Sequence, residues 1–280
     1  MSGSEGRPSA GHVPTEGLTF IGNATVLLRL GGFTLLTDPN FLHQGEHAKL
    51  GGGLRSRRLL DPAMDIDELP ALDLVLLSHH HGDHFDEVAI ERLDKSLPIV
   101  TTPHAARKLR RQGFRRPVAL RTWQIHRLTR DDTTLTITSL PGKHAPDPLA
   151  KVLPPVMGSL LEYTSPGRRP LRCYVTGDTL LHERLHEIPR RFPDVDLAIV
   201  HLGGTRIAGI LLTMDATQGR QLLQLVRPRT AVPVHYDDYT VFRSPLSDFR
   251  TAVDDASLDT EVVYLGRGNT LPLSLLEEEL

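Results

Sequence analysis

The stretch Leu74-Val75-Leu76-Leu77-Ser78-His79-His80-His81-Gly82-Asp83-His84-Phe85-Asp86 constrains this chain more than any other. An apolar run of strand length ends abruptly in four histidines and two carboxylates. A strand holds the loop that follows it rigidly, so these side chains are presented together. His79, His81, Asp83 and His84 have the spacing H-x-H-x-D-H. Alternation in extended backbone sends His79 and His81 the same way and His80 the other. Gly82 allows a turn that brings Asp83 and His84 to the same place from another side. Imidazole and carboxylate without thiolate suit zinc, manganese or iron. Four ligands this close crowd a single metal that must keep an open position, so two metals are expected, with further ligands arriving from elsewhere.

A chain of 280 residues has room for one large α/β domain or two small ones. The formal charge of −2 selects no class of partner. One cysteine, Cys173, excludes internal disulfides and lies in the apolar run Leu171-Arg172-Cys173-Tyr174-Val175, where a buried, inert thiol is expected. No signal-peptide-like stretch or membrane span is legible, and the cytoplasm is the expected location.

Residues 1–15 read as a disordered tail, 16–275 as one domain, and 276–280 as an acidic tail. Strands are expected at 18–22, 24–30 and 33–37, the last two joined at Gly31-Gly32. From Asn40 to about Met64 the pattern dissolves, and a substrate-side flap is expected there. Its His43 and His47 read as surface residues. Asp86 is the expected N-cap of a helix ending near Leu93, and Gly113 closes another that begins at His104. Strands follow at 98–101, 118–121, 133–140, 157–163, 171–176, 195–200 and 230–234, with short ones near Val262 and Leu271. Helices are expected at 181–188, stopped by Pro189, and at 215–226 and 246–253. Mixed hairpins and crossover helices suggest two packed sheets with helices outside.

Three later stretches repeat the opening arrangement. His144 follows the strand ending at Leu140, Asp178 follows Leu171–Thr176, and His235 follows Ala231–Val234. Strand ends along one sheet edge converge, so these residues can join the first cluster.

The order H-x-H-x-D-H, then H, then G-D-T, then H resembles the metallo-β-lactamase superfamily. The segments Thr19–Leu27 and Leu36–Pro39 are similar to its opening strands. The branch most resembled contains ascorbate-6-phosphate lactonase and the N-acyl-phosphatidylethanolamine phospholipase D group, over about residues 16–273. The resemblance implies an αββα four-layer sandwich with two divalent metals at one sheet edge, zinc favoured and Mn²⁺ or Fe²⁺ compatible. It implies that His79, His81 and His144 hold one metal and that Asp83, His84 and His235 hold the other, with Asp178 bridging. It implies a hydroxide between the metals that attacks an ester, lactone or phosphoester. Asp83 is then a catalytic candidate as well as a ligand, and Asp38 either orients a ligand histidine or is a turn residue before Pro39.

His201 ends another apolar strand, at a position similar to a histidine of ribonuclease Z enzymes. Leu202-Gly203-Gly204-Thr205 departs from the Glu-Ala-Thr that follows there. His201 is expected to assist as hydrogen-bond donor or general acid, and Tyr236 and Asp237 to contact substrate. Nine basic residues and no acid lie between Arg107 and Arg130. They read as a solvated face rather than a nucleic-acid groove, although an anionic small-molecule substrate would be steered by them. His182-Glu183-Arg184-Leu185-His186 matches H-E-x-x-H, but a peptidase competes with a ligand set already complete without it. The leading expectation is a two-metal hydrolase. A phosphodiesterase or nuclease-like activity assisted by His201 is the first alternative. A non-catalytic metal-binding module and an iron-based oxidoreductase are the remaining ones. Oligomeric state is not legible.

Overall fold

A computed structural model describes residues 16–151 and 153–273; the expected tails, 1–15 and 276–280, lie outside the described residues. The chain opens with strands Gly17–Gly22 (β1), Thr25–Leu30 (β2), Phe33–Thr37 (β3), His47–Gly51 (β4), Leu54–Arg57 (β5) and Leu74–Leu76 (β6). Helix Glu87–Arg92 (α1), strand Ile99–Thr101 (β7), helix Pro103–Arg111 (α2) and strands Pro117–Ala119 (β8), Ile125–Arg130 (β9) and Thr133–Leu140 (β10) follow. Next come Gly158–Thr164 (β11), Leu171–Val175 (β12), Glu187–Arg191 (α3), Leu197–His201 (β13), Arg206–Ile207 (β14) and Ile210–Leu211 (β15). Helices Ala216–Val226 (α4) and Leu246–Asp254 (α5) flank Thr230–Val234 (β16), and Glu261–Val262 (β17) and Thr270–Pro272 (β18) close the described chain.

Two seven-stranded sheets form, in the orders β18-β1-β2-β3-β6-β7-β8 and β17-β16-β13-β12-β11-β10-β9. Alternation along β6 shows how they become a sandwich. Leu74 and Leu76 face the opposite sheet and meet Ile137, Leu161, Ile199 and Val232. Val75 and Leu77 face outward onto Ala89 of α1 and Ala105 and Leu109 of α2. On the far side, α3, α4 and α5 lay Ile188, Leu222, Leu223 and Phe249 on Tyr174, Ala198 and Ala231. Each fully buried leucine contributes on the order of 2 kcal/mol. The four layers are the αββα sandwich expected from the sequence.

Strands β3, β6, β7 and β8 run parallel, as do β12, β13, β16 and β17. Parallel strands put their carboxyl ends on one edge, where the segments leaving β3, β6, β12 and β16 carry Asp38, His79, Asp178 and His235 and where β13 ends in His201.

Four local expectations change. The 40–64 stretch is not an irregular flap: β4 and β5 form a hairpin whose turn, Gly51-Gly52-Gly53, has positive φ throughout. Pro189 does not end its helix but sits in the first turn of α3, where no intrahelical N–H donor is needed. The basic segment contains β9, paired along β10. Finally, β14 and β15 make a small hairpin in the connection to α4.

Cys173 faces the inter-sheet core, and burial, followed by the nearby Asp196 carboxylate, pushes its thiol well above the usual range. The native protein is expected to be inert to a thiol reagent and to react once unfolded; stoichiometric labelling of folded protein would contradict this placement.

Candidate metal centre

The opening loop leaves β6 into a cradle made by its neighbours. Asp86 caps α1 by accepting from the Ala89 N–H, and the same carboxylate accepts from the N–H groups of Phe41 and Leu42. Gly82 lies against the β4–β5 hairpin and donates its N–H to the Lys49 carbonyl at 2.9 Å. A Cβ at Gly82 would stand 2.6 Å from the Lys49 backbone, so this position admits only glycine without moving the hairpin.

Two ligand clusters result. His79, His81 and His144 form the first, with His79 Nε2 3.0 Å and His144 Nε2 3.3 Å from His81 Nδ1. Asp83, His84, Asp178 and His235 form the second. There His84 Nε2 lies 3.2 Å from Asp178 Oδ2, and His235 Nε2 lies 3.6 Å from Asp83 Oδ2. All seven expected ligands are therefore brought together, and the rings of His79 and His84 are 4.2 Å apart between the clusters.

The electrostatics of the two clusters differ. Burial, then the neighbouring imidazoles, holds His79 well below its usual range and pushes His81 down to about 3; burial also lowers His144. Three neutral imidazoles turned toward one another with lone pairs available suit a cation. In the second cluster burial opposes charge, but His235 and His84 hold the Asp178 carboxylate well below the usual range, and Asp178 and Asp83 raise His84. Asp178 also favours the charged forms of His79 and His144, so its field reaches both clusters.

Orphaned atoms provide the test of fit. Asp178 Oδ1, His84 Nε2 and His235 Nε2 are buried without a hydrogen-bond partner. Unsatisfied buried donors and acceptors are costly, and cations held at these points would satisfy them. The residues present fit two divalent metals.

Asp38 and Ser78 orient the ligands from behind. Asp38 Oδ1 accepts from the Ser78 N–H at 2.7 Å, and Oδ2 accepts from Ser78 Oγ at 2.9 Å and lies 3.1 Å from His84 Nδ1. Ser78 Oγ is in turn 3.0 Å from His79 Nδ1. Burial opposes ionisation of Asp38, yet His84 and His201 hold it down to about 2. Carbonyls of Leu212 and Leu202 face Nδ1 of His144 and His235. Asp38 and His235 both carry positive φ, 35° and 62°, conformations unusual for residues with side chains and concentrated where surroundings enforce them. Ser78 escaped the sequence reading because nothing in its type distinguishes it from a loop serine; its place between strand and first histidine is the only signal.

Three expected substrate-side residues lie elsewhere. His201 is fully buried behind the ligands, with Nε2 3.4 Å from Asp38 Oδ2 and Nδ1 3.2 Å from Thr176 Oγ1, and is not on the cavity wall. Tyr236 is buried in the outer core beside Phe20, and Asp237 pairs with Arg267. H-E-x-x-H is not a helical motif here, since the His182 backbone is extended and only Glu183–His186 is helical.

Over the clusters opens a cavity of about 1310 Å³, walled by the β4–β5 hairpin, α1, α2, Leu149, Leu153 and Pro154, and the β14–β15 hairpin. His81, Asp83, His144 and Asp178 form its floor.

A family model described as the beta-lactamase superfamily domain matches residues 34–236. A UPF0173 metal-dependent hydrolase of Archaeoglobus fulgidus is 27% identical over 266 residues, covering 90% of this chain and 97% of that protein. An N-acyl-phosphatidylethanolamine-hydrolyzing phospholipase D of Caenorhabditis elegans is 25% identical, covering 79% of this chain and 64% of that protein. Among solved structures, a possible metal-dependent hydrolase from Veillonella parvula superposes with a TM-score of 0.77 at 23% identity, covering 92% of this chain and all of that one. The match over residues 34–236 shows that this chain belongs to the beta-lactamase superfamily.

Proposed function

We propose that the protein is a metal-dependent hydrolase of a small-molecule ester, lactone or phosphoester, with two divalent metals, zinc favoured. The observation that carries the reading is the pair of adjacent ligand clusters on the floor of one cavity, with Asp178 acting on both. His79, His81 and His144 would hold one cation and Asp83, His84 and His235 the other, with Asp178 between them. When bound, the metals would supply a water acidified to near neutral pH and a Lewis acid for the oxygen on which charge develops.

The chain's own residues supply the rest. Asp83 Oδ1, unpartnered and beside the cavity, is where a proton of the attacking water would be held. Asp38 fixes His84 and, through Ser78, His79, so that ligand directions survive turnover. His201, buried against Asp38, is a positioning residue in this reading and touches no substrate. The β4–β5 hairpin, α1 and α2 wall the approach to the floor.

His201→Ala is expected to reduce metal retention and turnover together, by about 10- to 100-fold, because such outer partners of a ligand set carry effects of that size. Turnover lost at full metal content would instead return His201 to direct chemistry. Assays of metal-loaded protein on an aryl ester, a lactone and a bis-aryl phosphodiester test the reaction class. Hydrolysis of at least one of them, abolished by chelator and restored by zinc, is the expected result; activity indifferent to chelator overturns the reading.

A further inference from the structure

Helix α2 presents two unlike faces. Ala105, Ala106 and Leu109 are buried against the first sheet, whereas His104, Lys108 and Gln112, spaced four apart on one stripe, line the cavity together with Arg107. Gln112 anchors the stripe beside the metal loop, its Oε1 3.0 Å from His80 Nε2. From there Lys108 and His104 lie on the order of 6 and 12 Å further along the helix, at 1.5 Å per residue.

This wall has cations and no acid to answer them. Of the carboxylates on the cavity, Asp83 and Asp178 belong to the ligand clusters, Asp86 caps α1, and Glu87 is paired with Lys49. Among the described residues neither Arg107 nor Lys108 has a carboxylate partner. His104 Nδ1 is buried and unpartnered as well. The cavity lining also includes the apolar side chains of Leu50, Leu54, Ile90, Leu149 and Leu153.

We infer that Arg107, Lys108 and His104 form a subsite for an oxyanionic group, carboxylate or phosphate, carried by the substrate remote from the scissile bond and joined to it by an apolar segment. Arginine's fork and a neighbouring ammonium bind such a group by charge-assisted hydrogen bonds, while the apolar side chains take the connecting chain. Specificity for acid-ended molecules follows. The inference rests on the hydrolase reading only for the word substrate.

Binding to metal-loaded protein separates the two. Suberate and octanoate share an apolar chain and one carboxylate, and only suberate has the second. By calorimetry suberate is expected to bind wild type at least 10-fold tighter than octanoate, and Arg107→Ala/Lys108→Ala to remove that difference. A phosphonate-ended analogue that outcompetes suberate would assign the subsite to phosphate, and the reverse to carboxylate. Equal affinity of suberate and octanoate for wild type, or a preference that survives in the double variant, overturns the subsite. On aryl esters of suberic acid, free or methyl-capped at the far end, the ratio of kcat/KM values should fall from at least 10 toward unity in the same variant. If neither ester is hydrolysed but the binding difference holds, the subsite stands and the esterase reading falls.

Discussion

Asp178→Asn is expected to reduce turnover by at least about a thousand-fold, the consequence of losing several kcal/mol of charge stabilisation at one stroke. Its carboxylate acts on both clusters. Its Oδ2 lies 3.2 Å from His84 Nε2 and its Oδ1 3.5 Å from His235 Nδ1, and its charge is also felt at His79 and His144. Asparagine preserves shape and removes the anion, so each site keeps its imidazoles while their shared negative charge disappears. Metal content should fall with activity, and the circular dichroism spectrum should be unchanged. Wild-type turnover in Asp178→Asn would remove this residue from the centre of the mechanism.

Arg58→Ala is expected to have the largest effect on stability. Arg58 and Asp238 are both fully buried, with Nη2 3.1 Å from Asp238 Oδ1. The same guanidinium donates to the Leu60 carbonyl at 2.9 Å and to the Asn40 side chain, and its charge lies 5.4 Å from the Tyr239 ring centre. Breaking a buried pair typically costs about 3–5 kcal/mol. Asp238 keeps a second cation, Arg267, at 2.9 Å, and the Asn23 N–H at 2.7 Å, which places the cost near the lower bound of about 3 kcal/mol. Urea unfolding measures this directly; a loss below about 1 kcal/mol, the range of surface pairs, would contradict the network. The chain of contacts continues to the metals, because Asn23 Nδ2 donates to the Asp83 carbonyl at 2.6 Å and Asn40 Nδ2 donates to the Gly82 carbonyl at 3.1 Å. Arg58→Ala should therefore also loosen metal retention.

These two residues mark what could and could not be read from the sequence. Asp178 was legible because a ligand-type residue just past an apolar strand is unusual, and four such ends converge only when the strands share an edge. The sandwich was legible for a related reason: Leu74 to Leu77 alternate between two cores, and uniformly apolar strands need cover on both faces. Arg58 was not legible. It stands beside Arg55 and Arg57 in a glycine-rich stretch, and only three-dimensional burial separates it from two exposed neighbours. The hairpin that carries it escaped for the same reason, since polar residues and three consecutive glycines conceal the strand alternation. Arg107 and Lys108 were visible only as part of a charge run, and it took the helix stripe and the cavity to distinguish them from Arg115 or Arg121. His201 ended an apolar strand as the ligands do, yet it is still inside β13, paired with Val234, where Asp178 and His235 stand past their strand ends, a difference of position that residue type cannot express.

Two metals held by the seven residues and needed for hydrolysis can be counted. Elemental analysis of protein purified without chelator, repeated after chelation and after zinc is restored, counts them most directly. The expected result is about two divalent metal ions per chain, with ester, lactone or phosphodiester hydrolysis lost and regained along with them. Metal-free protein that still hydrolyses its substrate, or a chain that takes up no divalent metal, would contradict the two-metal reading.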